Sequence, residues 1–372
     1  MNSLRILLGT LALIFTLYSI SEGASPGKQW EQVVAAANKE GKVVIYAAGS
    51  GISKQHLITF KNRFETAFPG IQVSYLGGRS SEMFSRLMAE RRAGKFIPDL
   101  YLGSGSSRTW ADRTVTQRIR PTLLLPEVLD MSKWLGGKFW FYDKEERYSL
   151  IYSMAAVTII AINTKLVKPN EITSYKDLLD PKWRGQIVSR DLRGGGTGSS
   201  NIKFLYLHPD LGPSFLTKLY TEMDVTLSRS SQQMIDWLAR GRYAIHLFPR
   251  KFDLDRAKSQ GLPVDLLNPL KMKEGSALTA GSRGVQLLNP APHPNAAKVY
   301  VNWLLSVEGQ EGLEKFLGYP SLRSDTQTKG AVREFIVPQQ TTELLVVSLG
   351  KYDHLDKVIR KLLVSLIAKR GQ

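Results

Sequence analysis

Four times along this chain a short apolar or β-branched run ends in a loop of small residues that opens a helical pattern. The loops read AGSG at 48–51, GGRSS at 77–81, GSGSS at 103–107 and GGGTGSS at 194–200. The first run is KVVIYA at 42–47, which reads as a buried strand. A helix is expected over 53–68, where Leu57, Phe60, Phe64 and Phe68 recur near helical spacing and Pro69-Gly70 supplies the stop. Strands at 71–76 and 99–102 bracket a helix at 81–93 that carries Met83, Phe84, Leu87 and Met88 on one face. Alternation of this kind predicts an α/β protein whose sheets are mainly parallel and covered by helices.

The second half repeats the grammar. A continuous β-branched strand is expected at 157–162, further strands at 185–188 and 243–248, and helices from Asn201 and Pro294. Ser174 with Asp177, and Ser230 with Gln233, are spaced as capping boxes. There is no internal repeat and no Gly/Ser linker between the halves, so ordered strands are expected to join them. The tail from Asp353 reads as a basic amphipathic helix. Packing on the body of the protein and contact with a membrane surface are its two readings.

The 372 residues suit two domains of about 150 residues each. Fifty Lys and Arg against 33 Asp and Glu give a net charge of +17, which suggests nucleic acid, an anionic surface or an anionic ligand. The absence of cysteine excludes disulfides, thiol catalysis, iron–sulfur clusters and lipidation on Cys. Residues 1–23 have the form of a signal peptide. Arg5 lies before an apolar run of about ten residues, too short for a membrane span, and Ser21 and Gly23 are small at a cut after Gly23. Export makes a nucleic-acid partner unexpected.

Enzymatic signatures are missing. The histidines at positions 56, 208, 246, 293 and 354 share no metal-ligand spacing, and there is no G-x-S-x-G, Walker or dinucleotide-binding motif. No catalytic residue, metal site or cofactor is expected. What remains are the small-residue loops. Helix starts present unpaired N–H groups and the positive end of the dipole, and Gly lets a ligand approach the backbone. In open α/β sheets, ligands lie outside the carboxyl ends of the strands. Arg79, Arg108, Arg193, Arg229, Arg250 and Arg283 sit in or near such positions, and Arg can hold carboxylate or phosphate bidentately. The alternative is that these loops only cap helices and the Arg side chains are solvated.

Several stretches together resemble one family. They are Trp30 with AAANKEGKVVIYA (35–47), RFETAFPGIQV (63–73), AERRAGKFIPDLYLGS (89–104), NTKLV (163–167), SYKDLLDPKWRGQI (174–187), PHPNAAKVYVNWLLSVEGQ (292–310) and SLRSD (321–325). The pattern is similar to the solute-binding proteins of bacterial ABC transporters, in the iron/thiamine/phosphonate-type branch. The resemblance implies the two-lobed type 2 periplasmic-binding fold, with crossing strands as a hinge. Lobe 1 would comprise 24–150 with 276–325 and lobe 2 would comprise 151–275, with C-terminal helices of 326–372 packing on a lobe. The segment 113–130 is expected to cross near the boundary. The resemblance also implies a periplasmic protein that is not a lipoprotein and delivers its solute to an inner-membrane ABC permease; a monomer is expected.

The iron ligands of ferric-binding members do not carry over. Ser50 stands where they place a His after the strand Tyr (here Tyr46). Ser104 stands where they place a Glu after the strand Asp (here Asp99). FPRK (248–251) replaces their Tyr-Tyr pair. The anion loop at a second-lobe helix start survives as GTGSS (196–200). The expected ligand is therefore a small anionic organic solute, carboxylate or phosphonate-like, or an anionic chelate. The expected binding residues are Ser50, Gly51, Arg79, Ser80, Ser104, Ser106, Arg193, Gly195, Thr197, Gly198, Ser199 and Arg250. Tyr46, Tyr101 and Phe248 are candidates for an apolar floor or for the core. A ferric-iron protein with atypical ligands, and an enzyme or sensor on the same fold, are the alternatives.

Overall fold

The computed structural model describes residues 26–48, 54–104, 110, 112–194, 198–326 and 345–369. The signal-peptide expectation, and Ser50, Gly51, Ser106, Gly195 and Thr197, lie outside the described residues.

The chain opens with α1 (Pro26–Glu40), β1 (Lys42–Ala48), α2 (Lys54–Ala67), β2 (Gln72–Gly78), α3 (Ser80–Arg92) and β3 (Leu100–Leu102). A short helix, α4 (Pro126–Leu129), precedes β4 (Trp140–Phe141), β5 (Ser149–Ile151), β6 (Ala155–Ala156), β7 (Ile160–Asn163) and β8 (Ile187–Arg190). Helices and strands then alternate as α5 (Ser199–Leu207), α6 (Gly212–Glu222), β9 (Thr226–Ser228), α7 (Ser231–Ala239), β10 (Ile245–Leu247), α8 (Lys251–Ser259) and β11 (Val264–Leu266). The final elements are β12 (Leu278–Thr279), β13 (Gly284–Leu287), α9 (Pro294–Leu305), α10 (Val307–Gly312) and α11 (His354–Ala368).

These strands form two main sheets, one per lobe. The first has the order β2-β1-β3-β13-β5-β4 and the second β11-β7-β10-β8-β9. Strands separated by a crossover helix pair in parallel, as β1 does with β2 and β3, and β8 with β9 and β10. β13 and β4 run against the first sheet, and β7 runs against both of its neighbours in the second. A small antiparallel ladder, β12-β6, pairs Leu278 with Ala156 and Thr279 with Ala155.

The β-branched run at 157–162 therefore serves two sheets. It leaves the ladder at Ala156, and Val157 donates to the Ala277 carbonyl at 2.9 Å before β7 begins at Ile160. The segment 113–130 corrects another expectation. It does not cross between lobes: Ile119, Leu123 and Val128 are buried in the first core with Ile45, Phe64, Val285 and Tyr300. Asn302 of α9 secures it by accepting from the Leu124 amide at 2.7 Å and donating to the Thr122 carbonyl at 2.7 Å.

Carboxylates stitch the first lobe. Glu40, at the end of α1, accepts from the Asn295 and Ala296 amides and so caps α9. Asp99, fully buried, accepts from the Val44 and His293 amides and pairs with the His293 ring at 2.9 Å. The second core packs Ile162, Ile187, Phe204, Leu219 and Ile245. The C-terminal helix α11 adds Leu355, Ile359, Leu363 and Leu366 to it. Among the described residues, no helix is long and apolar enough to cross a membrane.

Candidate functional site

The two lobes enclose a cavity of about 1490 Å³. On the second-lobe side, β8, β9 and β10 run in one direction, so their carboxyl ends meet at one edge of the sheet. The helices that follow them, α5, α7 and α8, start at that edge, and Ser199, Ser231 and Lys251 all line the cavity. On the first-lobe side, β2 and β3 end two residues before Ser80 and Ser104, and both serines line the cavity. β13 runs the opposite way, so its start, the turn at Ser282–Arg283, arrives at the same edge. The Ser282 hydroxyl lies 3.2 Å from that of Ser80 and 3.5 Å from that of Ser104.

Uncapped helix starts supply donors to this space. The N-caps of α3, α5 and α8 are Arg79, Gly198 and Arg250, and among the described residues no side chain caps any of the three. Their first-turn N–H groups are left for solvent or a ligand. α7 differs, because the Ser230 hydroxyl accepts from the Gln233 amide. The expected reciprocal half of that box is absent: the Gln233 side chain accepts from the Ser228 hydroxyl instead. At Ser174 and Asp177 the box is complete.

Backbone strain places two of these starts. Gly198 has φ +99, and a Cβ there would sit 2.9 Å from Leu192 Cδ2 and 3.1 Å from Phe248 Cβ. Only Gly fits that turn. Phe248 itself has φ +60 although it is not glycine. Its ring is fully buried in the second core, which holds the turn that delivers Arg250 to the cavity.

Among the expected binding residues, Arg79, Ser80, Ser104, Gly198, Ser199 and Arg250 line the cavity. Arg193 does not. Its Nε and Nη2 donate to the two carboxylate oxygens of Asp191 at 2.9 and 3.1 Å. That contact, chiefly the hydrogen bond from Arg193, holds the Asp191 carboxyl below the usual range. Arg229 joins the same carboxylate at 3.1 Å. Tyr46, Tyr101 and Phe248 are core rather than floor. The two tyrosines pack with Leu87 and Trp110 beneath α3, and the Tyr46 hydroxyl donates to Glu90.

Ser282 and Arg190 are cavity residues that escaped the sequence reading. Ser282 carries no local signal, because only the sheet order brings its turn beside β2 and β3. Arg190 ends β8, two residues beyond the strand expected from the β-branched pattern. Its Nη2 donates to the Ser231 hydroxyl at 2.5 Å, and its Nε is buried without a partner among the described residues. Burial, then the charge of Arg250, lowers its affinity for its proton. Arg250 is 3.5 Å from Asp253. Arg283 also has a buried Nε without a partner among the described residues, and its guanidinium stacks over Tyr319 at 4.7 Å. Among the described residues, eight Arg and Lys and four Asp line the cavity. Among the described residues, no group of three or more His, Cys, Asp or Glu is placed to hold a metal ion.

Comparisons with known proteins place this geometry. An uncharacterised protein of Haemophilus influenzae is 26% identical over 294 residues, spanning 75% of this chain and 77% of that protein. The solved structure of Trichodesmium IdiA (FutA) in complex with iron and citrate is similar at a TM-score of 0.64 and 17% identity, over 88% of this chain and 99% of that one. AfuA from Actinobacillus pleuropneumoniae, a periplasmic binding protein with fructose-6-phosphate bound, is similar at 0.58 and 19%, over 89% and 99%. These likenesses establish the two-lobed periplasmic-binding fold. The family model for bacterial extracellular solute-binding proteins matches residues 59–334, most of the chain, and the protein belongs to that family.

Proposed function

We propose that this protein captures a small anionic organic solute, a carboxylate or phosphonate-like compound or an anionic chelate, and delivers it to an ABC permease of the inner membrane. It does so as a periplasmic monomer, exported with cleavage near Gly23, without lipidation and without covalent chemistry. The observation that carries this reading is the convergence of three uncapped helix starts and several guanidinium groups on one cavity between two lobes. Two structural relatives carry anionic ligands, citrate with iron in one and a sugar phosphate in the other.

The donors work from both walls. Ser80, Ser104 and Ser282 offer hydroxyls from the first lobe. The amides of α5 and α8, with Arg250, offer donors from the second. A solute that bridges both walls binds the closed arrangement better than the open one and shifts the equilibrium by that difference in affinity. A carboxylate-rich chelate presents the same acceptors to the same donors.

A thermal-shift screen of the purified protein tests the reading, together with mass spectrometry of any solute released on denaturation. Stabilisation by organic anions and an anionic released solute are expected. Stabilisation by ferric ion alone, with no response to anions, would overturn it. Turnover of the bound solute would point instead to an enzyme.

A further inference from the structure

Among the described residues, Arg190 and Arg283 are the cavity cations with a buried, unpartnered Nε, and Arg190 lies near a second guanidinium, that of Arg250. The neighbours of Arg190 on each side are identifiable: Ser231 on α7, Arg250 and Asp253 on α8, and His246 on β10. The hydroxyl of Ser231 takes one guanidinium donor, and no acceptor meets Nε among the described residues. The nearby carboxylate, Asp253, lies 3.5 Å from Arg250 and 4.0 Å from Arg256, so one negative charge serves the cluster of cations. Asp253 is itself buried, and its Oδ2, the oxygen facing Arg250, accepts no hydrogen bond among the described residues. Asp191, the residue after Arg190, is occupied by Arg193 and Arg229. The starts of α7 and α8 add positive dipole ends to the same corner.

Two guanidinium groups held close in a partly desolvated corner repel each other unless an anion joins them. One carboxylate oxygen pair satisfies one guanidinium fork. A tetrahedral dianion has acceptor oxygens for both forks and for helix amides together. Resting on the anionic-solute reading above, we propose that Arg190 and Arg250 with the first turns of α7 and α8 form a subsite for a tetrahedral dianionic head group, a phosphoryl or phosphonyl group. Arg190 is its specificity-determining residue. The single-charged carboxylate leaves the corner under-neutralised and binds there less tightly.

Small head-group probes read this out directly: methyl phosphate, sulfate and acetate, titrated into the full-length mature protein with thermal shift and ligand-observed NMR. Methyl phosphate and sulfate are expected to bind at least about tenfold tighter than acetate at pH 7.5. The second proton of a phosphate monoester leaves near about pH 6. Methyl phosphate affinity should therefore fall between pH 7.5 and 5, while sulfate affinity stays level. His246 does not confuse that window, because burial holds its pKa down at about 3. Arg190→Gln should weaken methyl phosphate about tenfold or more and leave acetate within about threefold. The wild-type pH profile stands by itself if that variant folds poorly. Acetate binding as tightly as methyl phosphate, or a flat methyl phosphate profile, would overturn the subsite and leave the anionic-solute reading intact. A co-purified solute that is neutral or cationic, with no response to any anion, would overturn both.

Discussion

Gly198 and His246 show what single residues contribute to this architecture. Gly198 holds φ +99 against Leu192 and Phe248 at the start of α5. Gly198→Ala adds a Cβ to a left-handed turn with no room for it. A loss of about 1–3 kcal/mol in denaturant unfolding is expected, with weaker ligand binding because the α5 amides shift. His246 lies buried in β10 with neither ring nitrogen partnered among the described residues, and its pKa is lowered to about 3 by burial first and Arg190 second. The unfolded imidazole takes up its proton near about pH 6.5, so between that pH and about 3 the unfolded chain binds the extra proton. Stability therefore falls as pH falls through this range. His246→Leu should flatten the dependence by up to about 1.4 kcal/mol per pH unit relative to wild type. Equal slopes in equilibrium unfolding of the two proteins would rule this out.

Elements reward the sequence reading unevenly. α11 was legible as an amphipathic helix, and its apolar stripe is what the second core receives. Leu363 is 1% exposed there and Val364 is 49% exposed. Leu363→Ala should cost about 2–5 kcal/mol, and Val364→Ala should stay within about 0.5 kcal/mol. Helix starts were legible as well, because Ser174–Asp177 and the small-residue loops encode local hydrogen bonding that spacing reveals. Six of the expected cavity residues line the cavity for that reason. Non-local pairing was not legible. Arg193 and Asp191 are two residues apart, yet the choice of Asp191 over the cavity depends on how the loop after β8 folds. Ser282 reaches the site through the order of strands in a sheet. Arg190 was hidden because β8 ends two residues later than the β-branched pattern indicated. The segment 113–130 looked like a crossing because nothing local announces that Asn302, far along the chain, will hold it.

At the scale of the molecule, the closure proposed above depends on how the two lobes are joined. The ladder of β6 and β12 is extended by the C-terminal segment. Leu278 donates to the Leu345 carbonyl at 2.8 Å and accepts from the Val347 amide at 2.9 Å. Val346 is buried in the first core and Val347 in the second. Gly350 donates to the Tyr142 carbonyl at 2.8 Å, so this segment reaches the first lobe before α11 returns to the second. A joint of short, hydrogen-bonded strands bends by small backbone rotations spread over a few residues while the packed lobes move as bodies. A solute held by both walls should then lower the radius of gyration in small-angle scattering. Amides at Leu278, Val347 and Gly350 should keep their exchange protection, because the joint stays paired while it bends. First-turn amides of α3, α5 and α8 should gain protection as the solute covers them. An unchanged scattering profile at saturating solute, with protection gained on one wall alone, would mean that the cavity binds without closing.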